Sequence, residues 1–227
     1  MEYRTPLEKI SDFPLLKDKV YEIIKKNIIG LSLPPNSQLV EKRLAEEMGV
    51  SKSPIREALL RLEREGLVYT IPFKGCFVAK ITPQDLQETF QLREALETYC
   101  VQQGCEAFSG EEINRLKEIL VEGDEALQAN DVNRCYSVNT LFHDTLVSNT
   151  KNSKIQRTYA NLRDHLDRYR NIASRILGRV AKSHQEHVLI IQAMEVRDDA
   201  QARKQIVDHV RSVLIDILHS EELGSSD

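Results

Sequence analysis

Six histidines, His143, His165, His184, His187, His209 and His219, are the side chains of this chain best placed to bind a metal or exchange a proton near neutral pH. Asn139 and His143 stand four apart, which puts both on one helical face beside Phe142 and Leu146. His187 and His209 each fall within the apolar periodicity of a later segment. Imidazole nitrogen is a borderline ligand suited to Zn²⁺ and Ni²⁺, and three such nitrogens with one oxygen leave coordination positions open for water or a carboxylate. On spacing alone the favoured reading is three hydrogen-bonded core histidines on separate helices that need not converge, with a metal centre as the alternative. His184, three before His187, suits solvent or the surroundings of a site as well as it suits a ligand.

A second group offers different chemistry. Ser51, Lys52, Ser53 and Arg56 lie together where an amphipathic segment begins. Hydroxyls and amides at a helix start hold phosphate oxygens, and a forked guanidinium one turn in is long enough to reach a base edge. Arg93, Arg163, Arg168 and Arg170 are cations able to meet an acid; Arg163 and Arg170 are seven apart on one face beside Leu162, Leu166 and Ala173. Arginines of this kind also snorkel or pair with neighbours such as Asp164 and Asp167.

The elements that must position these groups fall into two parts. Leu16, Val20, Ile23, Ile24 and Ile28 recur at three- and four-residue steps, predicting a helix over 15–29 with Gly30 as its left-handed stop. Pro34-Pro35-Asn36 breaks the pattern, with Asn36 able to take a positive φ. A second helix fits Val40 to Met48 and ends at Gly49. The Ser53-Pro54 pair predicts an N-cap and first helical residue for a third helix, whose Ile55, Ala58, Leu59 and Leu62 form its core stripe. Two helices joined by a tight turn, with hydroxyls and cations at the exposed start of the second, read as a helix-turn-helix. The run 67–71, a turn at Pro72 to Gly75 and Cys76 to Val78 read as a hairpin tipped by Lys74, which makes the unit winged. Beyond residue 81 nothing alternates like a strand. Thr82-Pro83 and Ser109 with Glu112 are helix starts, Asp131 can cap another, and later helices are predicted over 153–177, 179–196 and 199–219. The expected fold is mainly α: a winged helix-turn-helix over 1–80, an antiparallel all-helical bundle of about six helices over 81–222, and a loose tail over 223–227.

Composition agrees. The chain has 227 residues, 41% hydrophobic and 29% charged, enough for at least one full core. No apolar run approaches the roughly 18 uncharged residues of a membrane span, and Met1 to Phe13 has no apolar block. Cys76, Cys100, Cys105 and Cys135 form no CxxC pair and read as reduced, mostly buried thiols of a cytoplasmic protein. The net charge of −4 hides an asymmetry: residues 1–80 carry 14 Lys plus Arg against 11 Asp plus Glu, and residues 81–227 carry 17 against 24. A mildly basic head is joined to an acidic body.

Residues 39–45 (Leu-Val-Glu-Lys-Arg-Leu-Ala), 49–59 (Gly-Val-Ser-Lys-Ser-Pro-Ile-Arg-Glu-Ala-Leu), 62–68 (Leu-Glu-Arg-Glu-Gly-Leu-Val) and the wing glycine Gly75 resemble the GntR family of bacterial transcription factors over nearly the whole head. Asn36 stands where that family usually has Gly, and Lys52 where Arg is commoner, which keeps charge but loses the bidentate fork for guanine. The resemblance implies that Lys42, Ser51, Lys52, Ser53 and Arg56 meet double-stranded DNA, with Lys74 and Gly75 at or beside the minor groove. More loosely, residues 139–143, 186–193, 208–209 and 92–97 resemble the ligand-binding domain of the FadR-type members, the FCD class. That implies His143, His187 and His209 as ligands of a divalent ion, Zn or Ni, with Asn139 in the place of a usual Asp. A neutral amide donates less charge, so an anionic effector would supply what is missing. Arg93, Arg163 and Arg170 are its expected contacts.

The function expected is a DNA-binding regulator, not an enzyme: a homodimer reading an inverted repeat, controlled by a small carboxylate bound through the metal. A metal-only sensor is the nearest alternative. A metal-dependent hydrolase lacks an HExxH motif, a nucleophile with its base and a glycine-rich phosphate loop. Replacing Arg56 by Ala is expected to weaken specific operator binding by about 1–3 kcal/mol, read in a gel-shift series against random DNA. Unchanged discrimination would remove Arg56 from base reading.

Overall fold

The computed structural model describes residues 16–220; the expected loose tail over 223–227 lies outside them. The chain divides into two compact units, Met1–Ile28 with Asn36–Ala79, and Ile29–Pro35 with Lys80–Asp227.

In the first unit, α1 (Leu16–Ile29) buries Val20, Tyr21, Ile24 and Ile28, the stripe its spacing predicts. Its left-handed residue is Leu31 (φ 62°), not Gly30. The Leu31 side chain packs on the apolar core of the second unit, to which residues 29–35 belong, and that burial offsets a backbone cost of about 1–2 kcal/mol. Asn36 takes the expected positive φ, 64°. Helix α2 (Glu41–Met48) closes on Gly49 in the left-handed region. Helix α3 (Lys52–Arg64) starts earlier than expected, with Ser51 at the N-cap, so Pro54 is its third residue and not its first. Proline is harmless there because the first N–H groups of a helix have no intrahelical acceptor.

The wing is β2 (Val68–Ile71) antiparallel to β3 (Gly75–Val78), with Tyr69 opposite Phe77 and their rings stacked at 5.6 Å. A third strand, β1 (Gln38–Leu39), pairs with β3 and was not expected, since two residues carry no alternation.

The second unit holds six helices among the described residues: α4 (Pro83–Ala107), α5 (Gly110–Gln128), α6 (Val132–Asn149), α7 (Ser153–Arg175), α8 (Arg179–Glu195) and α9 (Asp199–Leu218). Thr82 Oγ1 accepts from Asp85 N, Ser109 and Glu112 form a reciprocal capping box, and Asp131, Asn152 and Asp198 cap the next helices. Arg197 donates to the carbonyls of Gly104, Cys105 and Phe108, satisfying the end of α4. Helix α4 packs along α9, α8 along α9, and α5 against both α6 and α8, which brings α4, α6, α8 and α9 to one centre. Cys100, Cys105 and Cys135 are buried free thiols and Cys76 is half-buried.

Loss of the capping box in a Ser109→Ala variant should destabilise the second unit by about 1 kcal/mol, seen as a lower denaturation midpoint by circular dichroism. A midpoint equal to the parent's would show that the box contributes nothing.

Candidate metal centre and nucleic-acid interface

His143 on α6, His187 on α8 and His209 on α9 lie on the inward stripes of their helices and are fully buried. One ring nitrogen from each lies within 4.8 Å of the others. His187 Nε2 and His209 Nε2 face each other at 3.3 Å. Ligands at opposite corners of a tetrahedral site with bonds of 2.0–2.1 Å stand about 3.4 Å apart, so this pair already has the separation a zinc-like ion requires. Phe142 stacks on His187 at 4.2 Å and fixes its ring plane.

Carboxylates stand behind two of the rings. His209 Nδ1 meets Glu186 Oε2 at 2.8 Å, which favours the proton on Nδ1 and turns the Nε2 lone pair to the centre. Glu97, on α4, is fully buried and places Oε2 3.1 Å from His143 Nδ1; this oxygen has no well-aligned hydrogen-bond donor among the described residues. Its Oε1 accepts from Arg93 Nε (2.8 Å) and from Tyr159 O–H (2.8 Å), and Arg170 donates to the Tyr159 oxygen (2.9 Å). Arg93 Nη2 lies 2.9 Å from His143 Nε2 and 3.4 Å from Nδ1 of the same ring. An in-plane approach to Nε2 would leave Nδ1 much farther off, so the guanidinium lies against the ring face and the Nε2 lone pair is not used up by it.

Burial dominates the proton affinities. It pushes His143 and His187 well below the ordinary imidazole value, aided at His187 by its two imidazole neighbours, and lowers His209 despite the Glu186 contact. Burial pushes the Glu97 carboxyl up, and Arg93 and His143 more than reverse it, holding Glu97 well below the usual carboxylate range. Glu186 is likewise lowered: its partners His209 and Arg179 outweigh burial. Neutral imidazoles backed by ionised carboxylates are the state in which histidine binds metal.

A cavity of about 40 Å³ opens beside the centre, lined among others by Arg93, Asn139, Arg170, Arg179, His187 and His209. Since about 10–15 Å³ is the least that holds one water, that is space for a few water molecules at most. Asn139 is thus at the cavity, one turn before His143. Of the expected effector contacts, Arg93 and Arg170 line the space and are buried, while Arg163 does not: it is half-exposed and pairs with Asp144 at 2.8 Å. Arg168 is buried elsewhere beside Tyr169 and Asp85, and its guanidinium falls to about 10 through burial. His184 pairs with Asp124 (2.8 Å) at the cavity lining. The sequence assigns no role to Glu97, Tyr159 or Arg179. The four-residue Arg93–Glu97 spacing was the available signal for the first; Tyr159 and Arg179 carried none.

In the first unit, Ser51, Lys52, Ser53 and Arg56 are all exposed, as are Lys42, Lys74 and Gly75. Lys42 lies 3.8 Å from Glu46, a loose surface pair. Arg56 Nε donates to Glu41 Oε2 at 2.7 Å, so the arginine expected to read bases is held by an acid at the start of α2.

Residues 16–78 match the family described as bacterial regulatory proteins, gntR family, and residues 88–212 match the FCD domain. The chain belongs to the GntR family, FCD class. It is similar to an HTH-type transcriptional regulator in an unstable DNA locus of Streptomyces ambofaciens, at 30% identity over 92% of this chain and 89% of that one. It also resembles the HTH-type transcriptional repressor RspR of Escherichia coli, at 21% identity over 87% of each. Among solved structures, E. coli McbR/YncC superposes with a TM-score of 0.73 at 21% identity, covering 91% of this chain and 98% of that one. A GntR regulator from Rhodococcus sp. RHA1 gives 0.74 at 20% identity, with 90% and 98% covered. This GntR protein is therefore a DNA-binding transcriptional regulator, and its relatives are regulators and not enzymes. No helix among its described residues is long and apolar enough to cross a membrane.

The lowered imidazoles set a pH dependence. A histidine whose folded pKa lies below its unfolded value of 6.5 costs stability once the unfolded chain binds the proton that the folded one refuses. Chelator-treated protein should accordingly hold a flat melting temperature above about pH 7 and lose it progressively from pH 6.5 downwards, with a shallower loss in His187→Gln. A melting temperature independent of pH between 7.5 and 5.5 would contradict buried neutral imidazoles.

Proposed function

We propose that this regulator's affinity for its operator is set by a small carboxylate held in the cavity of the second unit together with a divalent ion, zinc or nickel. His143, His187 and His209 hold the ion through their Nε2 atoms, with the Asn139 amide oxygen beside them. Glu186 fixes the His209 ring from behind, and Glu97 sets its negative charge beside His143. The ion supplies Lewis acidity and open coordination positions for an anion.

Arg93 gives the site its preference for acids. Its guanidinium lies against His143 and lines the cavity, so a second cation arriving beside it raises the local positive charge, and an anion touching both offsets the repulsion. Arg170 lines the same space. Asn139, lacking the negative charge an aspartate would bring, leaves that role to the ligand. The small cavity volume favours a small acid and requires side chains to move aside as it enters.

Ser51, Lys52, Ser53 and Arg56 at the start of α3, with Lys42, Lys74 and Gly75, carry the DNA contact. A single recognition helix reads only a few base pairs, so we infer a homodimer on an inverted repeat, acting in the cytoplasm where the DNA is. Occupancy of the site biases the two DNA-binding units between arrangements that match the half-site spacing and arrangements that do not.

The observation that carries this reading is the convergence of three buried imidazole nitrogens within 4.8 Å beside a buried arginine. Gentle-ionisation mass spectrometry of the purified protein should report a dimer with one metal mass per subunit. In calorimetry, acetate, lactate or malonate should bind the zinc-loaded protein at least tenfold more tightly than the chelated protein, and Arg93→Gln should remove the difference. Equal affinities with and without zinc would sink the coupling, and a gel shift that responds to zinc alone would favour a metal-only sensor.

A further inference from the structure

The wing tip carries a residue that its backbone does not want. Ile71, Pro72, Phe73 and Lys74 form a four-residue turn closed by Lys74 N donating to Ile71 O at 3.0 Å. Proline at the second position and a positive φ at the third, 64° at Phe73, define a type II turn, whose third position favours glycine. A bulky aromatic in the left-handed region is a genuine outlier, and such outliers persist where the surroundings hold them. Gln38 is the holding group: its Nε2 donates to Lys74 O at 2.7 Å. The same nitrogen stands 3.2 Å from where a Cβ on Gly75 would be, and Gly75 itself has φ 104°. One solvent-exposed hydrogen bond thus ties the tip to β1.

The Phe73 side chain gains nothing in return from the folded chain. It is fully exposed, at 109% of its reference area. The hairpin is capable of receiving an aromatic ring, since Tyr69 and Phe77 stack on it at 5.6 Å. Phe73 instead projects from the tip next to the exposed Lys74, on the unit whose recognition helix presents Ser51, Lys52, Ser53 and Arg56. Strain plus an unburied ring has no stabilising role within the molecule. An apolar side chain beside a cation at the end of a hairpin has the chemistry of a minor-groove wedge, which enters between base pairs and partly unstacks one step while the cation meets phosphate.

We propose that Phe73 is such a wedge: it inserts at one base step of the operator's minor groove, kinks the duplex there, and makes the protein select a flexible pyrimidine–purine step at a position no polar side chain reads. It adds a specificity element to the polar contacts of α3 and requires double-stranded DNA of appropriate deformability as its ligand.

The test uses the full chain and a duplex selected by the wild-type protein from a random-sequence pool. Phe73→Gly relieves the turn, and Phe73→Asn keeps a residue that tolerates the left-handed region while removing the ring. Both variants should melt at or above the wild-type temperature, yet bind the selected duplex at least about tenfold more weakly. Both should also bend it less, as read by energy transfer between dyes at its ends. Phe73→Leu should restore most of the bend. Exchanging the pyrimidine–purine step at the wing position for an A-tract should weaken the wild type and leave Phe73→Gly unaffected. If both ringless variants bind within twofold of wild type with the same bend, or if the step exchange weakens all proteins equally, the wedge is wrong.

Discussion

The Glu97 carboxylate sits wholly out of water, with Arg93 and Tyr159 on one oxygen and His143 beside the other, and its existence as an anion depends on those neighbours. An isolated buried carboxylate takes up a proton; a paired one stays ionised, and removing one partner of such a pair costs about 3–5 kcal/mol because the other is stranded. Around it the arrangement propagates outward. Arg170 holds the Tyr159 oxygen and Asp167, and on the other side Glu186 joins His209 to Arg179, which reaches Ser212 and Asp216. Surface pairs such as Arg43–Glu47 belong to a different class, since water and salt screen them.

This constraint bears on the chemistry open to the three buried histidines. Helices α6, α8 and α9 bring the rings inward by apolar periodicity, but periodicity says nothing about tautomers. Glu186 supplies that information for His209 through a hydrogen bond at Nδ1, which leaves its Nε2 for the centre, while Glu97 places its charge beside His143 Nδ1 without an aligned hydrogen bond. Rigid elements place the groups, and buried charge orients them; a site built on loops would lack the first and a purely apolar core the second.

The parts of the molecule written in local chemistry were legible from sequence, and the parts decided by distant neighbours were not. Helix starts at Thr82 and Ser109 follow from hydroxyls and the Glu112 carboxylate within one turn. The three inward histidines follow from side-chain periodicity, and the exposure of Ser51, Lys52, Ser53 and Arg56 from their lying off an apolar stripe. Their convergence within 4.8 Å depends on the packing of α6, α8 and α9, which no single segment encodes. Arg163 and Arg170 share a helix face, yet Asp144 draws the first to the surface while Asp167 and Tyr159 hold the second inside. Leu31 takes the left-handed position in place of Gly30 because its side chain has a core to enter, a tertiary gain that outweighs local preference. Strand β1 is two residues long and exists because β3 offers it an edge.

The Arg56–Glu41 pair has a thermodynamic corollary for how the protein meets nucleic acid. Phosphate binding by a free arginine releases condensed counterions from the duplex, and the steepness of affinity against ionic strength counts such contacts. Arg56 instead carries an intramolecular counter-charge in Glu41, which any anionic partner would have to displace and leave to be rehydrated. Any anion that takes up Arg56 thus exchanges one counter-charge for another, so this guanidinium would count for less in such a slope than an unpaired cation does.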